Sequence, residues 1–380
     1  MSFSRTSAKP GNFGLFGRLR SVDPVLLLVS LALSAVGIFA VYVAGTEDRQ
    51  YYAANQSIGF VVGLVGAVPL ALLDYQMLKR HLRIIYGCVL FMLLAVTVVG
   101  VAAGGAQRWI AVGPVQVQPS EFAKLFMVIV LAGFFSEVNV GKSLNFLKSL
   151  GIVCLPALLV FAQPDLGTAL VFGAVFFTMS FVAGAKVWQL GLLTAAGGGL
   201  FALAVKLKFL EEYQVARLTA FLDPDSGLTD VGYQVAQSKT AIGSGGFTGK
   251  GLNATTLSNL GFVPEDHTDF IFANLAERIG FAGCLVLLAL FFVLVWRILH
   301  VATISRDRFG VLIAVGVATI LLFHVFVNVG MTMGIMPVTG IPLPFISYGR
   351  SSLVVSIISL GLLQSIAMRS RSEDAKHASV

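Results

Sequence analysis

Residues 261–280 read GFVPEDHTDFIFANLAERIG. Glu265, Asp266, His267, Thr268 and Asp269 stand side by side and run straight into an apolar segment that opens near Phe270. A dense group of polar and ionisable side chains therefore sits at the mouth of a long hydrophobic run. At such a border, desolvation and neighbouring charge move a carboxylate toward catalytic use. Asp269 is the candidate, with Glu265 and Asp266 expected to favour its neutral form by like-charge repulsion. The competing role is helix capping, for which Asp is well suited.

The rest of the chain repeats the apolar run. Of 380 residues 57% are hydrophobic and 12% charged, against about 25% charged in a soluble domain. The fold class is an all-α polytopic membrane protein. Ten spans are expected, at 24–44, 57–74, 83–103, 120–136, 149–163, 166–183, 187–205, 270–297, 309–333 and 351–368. The fifth is short, ends at Pro164 and should pair tightly with the sixth. Residues 1–23 read as a polar leader, 24–370 as the membrane domain and 371–380 as a polar tail. The first run is too long for a signal-peptide core and is expected to stay as a span.

The net charge of +7 reflects topology rather than nucleic-acid binding. Sixteen Lys and Arg residues fall in the termini and loops of one side, and three, Arg49, Arg108 and Arg350, in the short loops opposite. The positive-inside rule then puts both termini in the cytoplasm. A loop of about residues 206–269 faces outward and is long enough to signal function. Within it QVAQSKTAIG has the pattern of a short amphipathic helix, and GSGGFTGKG, which includes Ser244, is either a close-approach backbone or a turn. It lacks the spacing of a phosphate-binding P-loop. Cys88, Cys154 and Cys284 lie in apolar runs and are expected to be buried, inert thiols without a disulfide or zinc role. His267 has no partner at metal-ligand spacing, so no metal site is expected.

Further polar stretches break the outward ends of the spans: GAQRWI at 105–110, QPSEFAK at 118–124, QPDLGT at 163–168 and NVGMTMGIMPVTGIPLPFISYGRSS at 328–352. Glu121 and Lys124 are three residues apart, on one face of a helix at membrane depth. Trp109 suits an interfacial belt, Asp165 suits a helix cap, and Glu277 needs a partner, for which Arg278 and Lys124 are the candidates.

These stretches, with PEDHTDFIF, resemble in order and separation the motifs of the SEDS family of bacterial cell-wall proteins, which includes RodA and FtsW. The finer pattern is more similar to RodA. One position departs: the family usually has two glycines after SY, and here Arg350 follows Gly349. A glycine required for positive φ would not readily become Arg.

The resemblance implies a peptidoglycan glycosyltransferase that polymerises lipid II at the outer face of the cytoplasmic membrane with inversion at the anomeric carbon. It makes Asp269 the general base. Arg108, Lys124, Arg217 and Lys239 become candidates to meet the leaving diphosphate, with Trp109, Glu121, Ser244 and His267 as further substrate-binding positions. A divalent cation, Mg or Mn, is the other means of meeting that charge. A class B penicillin-binding protein, a transpeptidase, is the implied partner, beside the membrane lipids themselves. The rival readings are a lipid II flippase, a division polymerase of the FtsW type, and a scaffold without activity. A flippase needs charged groups through the whole depth of the bundle, whereas the ionisable residues here crowd toward the outer face.

Overall fold

The computed structural model describes residues 21–44, 48–103, 106–113, 115–209, 211–222, 230–252 and 267–377. Among them, nine helices are long and apolar enough to cross a membrane: α1 Pro24–Ala44, α2 Arg49–Leu72, α4 Leu82–Val99, α5 Pro119–Glu137, α6 Ser143–Ala162, α8 Val187–Lys206, α11 Ile271–Ile304, α12 Arg308–Thr332 and α13, which starts at Arg350. A shorter apolar helix, α7 Leu166–Val182, makes the tenth. The short α3 Gln76–Arg80 joins α2 to α4, while α9 Glu212–Leu222 and α10 Asp230–Ser244 lie in the long loop. The amphipathic helix expected from QVAQSKTAIG is thus present as part of α10.

Several boundaries differ from the sequence reading. α4 ends at Val99 rather than 103, because Gly100 leaves the helix in an extended conformation. The chain then forms a three-stranded antiparallel sheet, β1 Val101–Ala103, β2 Ala106–Val112 and β3 Val115–Val117. The fifth span is not short: α6 has 20 residues and carries Pro156 inside it. It does pack on α7. α11 continues to Ile304 and α13 to His377, so the polar tail from 371 is helical as far as the structure describes it. Cys284 is buried, but Cys88 and Cys154 lie exposed on the flanks of the bundle, contrary to expectation.

The core is built around α5, α12 and α13. Of the apolar window of α5, 78% is buried, against 11% for α8 at the periphery. α13 lies along α2 at backbone contact: a Cβ at Gly361 would fall 2.4 Å from the carbonyl oxygen of Ala67. Small residues at such a seam let two spans approach closely, which supplies the packing that the hydrophobic effect cannot supply within lipid.

Asp23 defines one end of the bundle. Its carboxylate, fully buried, is bonded by Arg297 near the end of α11 and by Arg371 near the end of α13, each at 2.6 Å. Burial pushes its pKa up, but the Arg297 and Leu26 hydrogen bonds and the charges of both arginines outweigh it and hold the carboxyl below its ordinary value. Both ends of the membrane domain therefore lie at one face. At the opposite face the segment between α12 and α13 folds back over the bundle. Its Phe345 has φ +65°, an outlier for a bulky residue, and its carbonyl oxygen lies so close to α1 that only a glycine fits at Gly37.

Candidate active site

Arg108 projects from β2 and fastens three elements at the face opposite the termini. Its guanidinium donates to the carbonyl oxygens of Gln163 and Pro164 and, at 2.9 Å, to the Tyr213 hydroxyl on α9. It also approaches Asp165 at 3.9 Å. Asp165 is the N-cap of α7, accepting from the Thr168 backbone N–H and hydroxyl, so the capping reading of this residue holds. The Arg217 guanidinium lies over the Tyr213 ring, 5.5 Å from its centroid. Arg108, Tyr213 and Arg217 thus line one wall of an open cleft. Leu166, Leu170, Phe201 and Leu218 give it an apolar flank.

Arg217 also borders a second, smaller cleft that contains Lys239 of α10. Beside it stands Gly340, φ +73°. A Cβ there would sit 3.4 Å from Arg217 Nη1 and 3.5 Å from Asp269 Oδ2. The Asp269 carboxylate and the Arg217 guanidinium therefore converge over a residue with no side chain. Glu265 and Asp266, the acidic neighbours expected beside Asp269, lie outside the described residues; among the described residues the Arg217 guanidinium shares the space over Gly340 with its carboxylate. The cap position of α11 is Phe270, so Asp269 stands one residue before it.

Below this face the Lys124 ammonium, buried, donates to Glu121 at 2.8 Å and to His324 Nε2 at 3.1 Å. His324 and Asn328 are one turn apart on α12, about 6 Å along its axis. The Asn328 amide donates to the Asp269 carbonyl oxygen at 3.0 Å and to that of Ile341 at 2.9 Å. The group around Lys124 and the amide that holds the Asp269 backbone thus reach α12 on successive turns.

Three comparisons bear on this arrangement. A family model described as a cell cycle protein, FTSW_RODA_SPOVE, matches residues 23–372. The chain belongs to this family. It is 38% identical over 347 residues to the peptidoglycan glycosyltransferase MrdB of Escherichia coli K12, covering 91% of this chain and 93% of that protein. Among solved structures it resembles a chain from a peptidoglycan synthase complex that coordinates polymerization and crosslinking, with TM-score 0.77, 31% identity, and 91% and 97% of the two chains covered. It also resembles the rod shape determining protein RodA of Thermus thermophilus, with TM-score 0.69, 30% identity, and 92% and 96% covered.

In this FtsW/RodA-type fold, the site residues expected from sequence separate into groups. Asp269, Arg108, Arg217 and Lys239 come together around the two clefts. Glu121 and Lys124 form the buried pair beneath. His267 is turned elsewhere: its ring packs against Tyr52 and Tyr348, with centroids at 4.6 and 5.8 Å. Trp109 sits in β2 opposite Val101. Ser244 lies 3.4 Å from Glu277, with which Lys250 pairs at 2.7 Å. The Arg278 side chain reaches Asn274 and the carbonyl oxygens of Leu252 and Val43. Arg350 is no anomaly: it opens α13 outside the positive-φ region and donates to Asn55 at 3.2 Å.

Sequence reasoning missed Tyr213, His324, Asn328 and Lys250. Polar residues inside an apolar span are costly and tend to face a cavity or one another, and that signal marks His324 and Asn328 in retrospect. The described residues hold no group of three or more His, Cys, Asp and Glu side chains suited to a metal ion. Over Gly340 the described group that meets the Asp269 carboxylate is the Arg217 guanidinium.

Proposed function

We propose that this protein is a peptidoglycan glycosyltransferase of the RodA branch, polymerising lipid II for cell elongation. The observation that carries the reading is the convergence of Asp269 and Arg217 over Gly340, beside a cleft that pairs arginines with apolar walls. The acceptor 4-hydroxyl attacks the anomeric carbon of the donor, and Asp269 takes its proton. The bond to the lipid diphosphate breaks with inversion, and the departing negative charge meets Arg217, with Arg108 and Lys239 in the adjoining clefts. The apolar flank of the larger cleft suits the polyprenyl tail. A divalent cation, Mg or Mn, fits this scheme as a companion of the substrate diphosphate. The protein sits in the cytoplasmic membrane with both termini in the cytoplasm and the site outside, and works with a class B penicillin-binding protein.

The buried Glu121–Lys124–His324 group favours a flippase as the second reading, since it places charge inside the bundle. The same preparation separates the two activities. Purified protein with its transpeptidase should convert lipid II into glycan strands visible on a gel. Translocation of lipid II in vesicles without polymer would reverse the assignment.

A further inference from the structure

The side chain of Asp269 depends on where its backbone is held. Three successive carbonyl oxygens just before α11 are each bonded by a donor from the opposite part of the chain. His267 accepts from the Tyr348 backbone N–H at 2.9 Å, Thr268 from the Ser347 hydroxyl at 2.8 Å, and Asp269 from the Asn328 amide at 3.0 Å. Asn328 differs from the other two donors in two ways. It belongs to a membrane-spanning helix, and its second N–H holds the carbonyl oxygen of Ile341, the residue after Gly340. One buried amide therefore fixes the register between the two strips of chain on which Asp269 and Gly340 sit, and Gly340 is the point where Asp269 and Arg217 meet.

The amide's orientation is unambiguous, because two carbonyl oxygens can only face the nitrogen end. This leaves Oδ1 buried without a partner, on a residue with no exposed surface. A buried acceptor without a hydrogen bond is destabilising. Local rules of this kind are broken mostly where function requires it.

Resting on the reading of Asp269 as the base, we propose that Asn328 is a positioning residue for catalysis, setting the Asp269 carboxylate against the Arg217 guanidinium. Asn328→Asp keeps the shape and removes both donors; Asn328→Ala removes the amide. Each should lower kcat about 10- to 100-fold, the loss typical of a small misplacement of a catalytic group, with KM for lipid II within about twofold of wild type. Because Asn328 acts through Asp269, adding Asn328→Ala to Asp269→Asn should produce no further loss. Ser365→Ala is the structural control: its hydroxyl donates to the Leu73 carbonyl oxygen at the far face and is equally buried. That variant should lower thermal stability without changing kcat. Wild-type kcat in either Asn328 variant, or losses that add to those of Asp269→Asn, would overturn the proposal. Failure of both variants to fold would make the role purely structural and also overturn it. Absence of polymerisation by the wild-type complex would instead remove the proposed function itself.

Discussion

At Asp269 and Lys124 the question is what a single charge does in its surroundings. Asp269→Asn preserves size and would be nearly silent if the residue only capped a helix, because Asn caps as well as Asp. With Phe270 in the cap position, we expect this variant to lose ~10²–10⁴ in polymerisation rate, while expression, thermal stability and partner binding stay close to wild type. Substantial strand formation would reject Asp269 as the base. Lys124 presents the opposite case. Both members of its pair with Glu121 are buried, with side chains 3% and 5% exposed, so Lys124→Ala strands a carboxylate beside His324. Breaking a buried pair in this way is destabilising by ~3–5 kcal/mol. We expect a fall in thermal midpoint together with lost activity. A wild-type midpoint and rate in detergent would show that the pair contributes nothing.

Helix α11 shows what an element needs beyond its own composition. It is broken at Gly280, φ +66° and ψ −172°, and the glycine-rich stretch after α10 closes over the break. Lys250 and Gly251 donate to the carbonyl oxygens of Glu277 and Arg278, and Phe281 and Ala282 donate to those of Gly246 and Phe247. The Lys250–Glu277 pair lies across the same seam. The glycines are therefore a clasp on α11, not a ligand nest or a loose turn. Sequence composition left that choice open, because both uses ask for the same residues and the partner lies about thirty positions away. The spans were legible for the contrary reason: length and hydropathy are local properties. The small sheet was not legible, since three short strands carry little periodic signal and follow an apolar helix without a polar break. Gly249 and Gly251 test the clasp together. Both have positive φ, at +83° and +94°, but a Cβ at Gly249 would meet the Arg278 carbonyl oxygen at 2.1 Å, whereas nothing lies within 4 Å at Gly251. Gly251→Ala should lose about 1–3 kcal/mol from backbone conformation alone. Gly249→Ala should lose more and should reduce activity through α11. Equal thermal midpoints for the two variants would show that close approach is not what holds the break.

For the whole molecule, the remaining issue is which way the bundle faces. Asp23, Arg297 and Arg371 meet at one end, where Asp307 also accepts from the Tyr75 hydroxyl at 2.8 Å and Arg308 donates to the Ala183 carbonyl oxygen. Arg108, Tyr213, Asp269 and the segment before α13 gather at the other. The geometry fixes which residues share a face. The proposed orientation rests on charge: in the sequence, sixteen Lys and Arg residues fall in the termini and loops of one side of the expected topology, against three opposite, and the positive-inside rule assigns the richer side to the cytoplasm. The Asp23 knot uses two of those arginines, so the residues that set orientation also tie α1, α11 and α13 together. A cysteine at Ser226, in the chain between α9 and α10, should therefore react with an impermeant maleimide on intact spheroplasts, in a background where the native cysteines are replaced. A cysteine at Ser143, where α6 begins near the opposite face, should react only after lysis. The reverse pattern would put the site in the cytoplasm. Lipid-linked donor could still reach it there, but strands made there would have no route to an external wall, so the same labelling result would also remove the physical basis for polymerisation outside the cell.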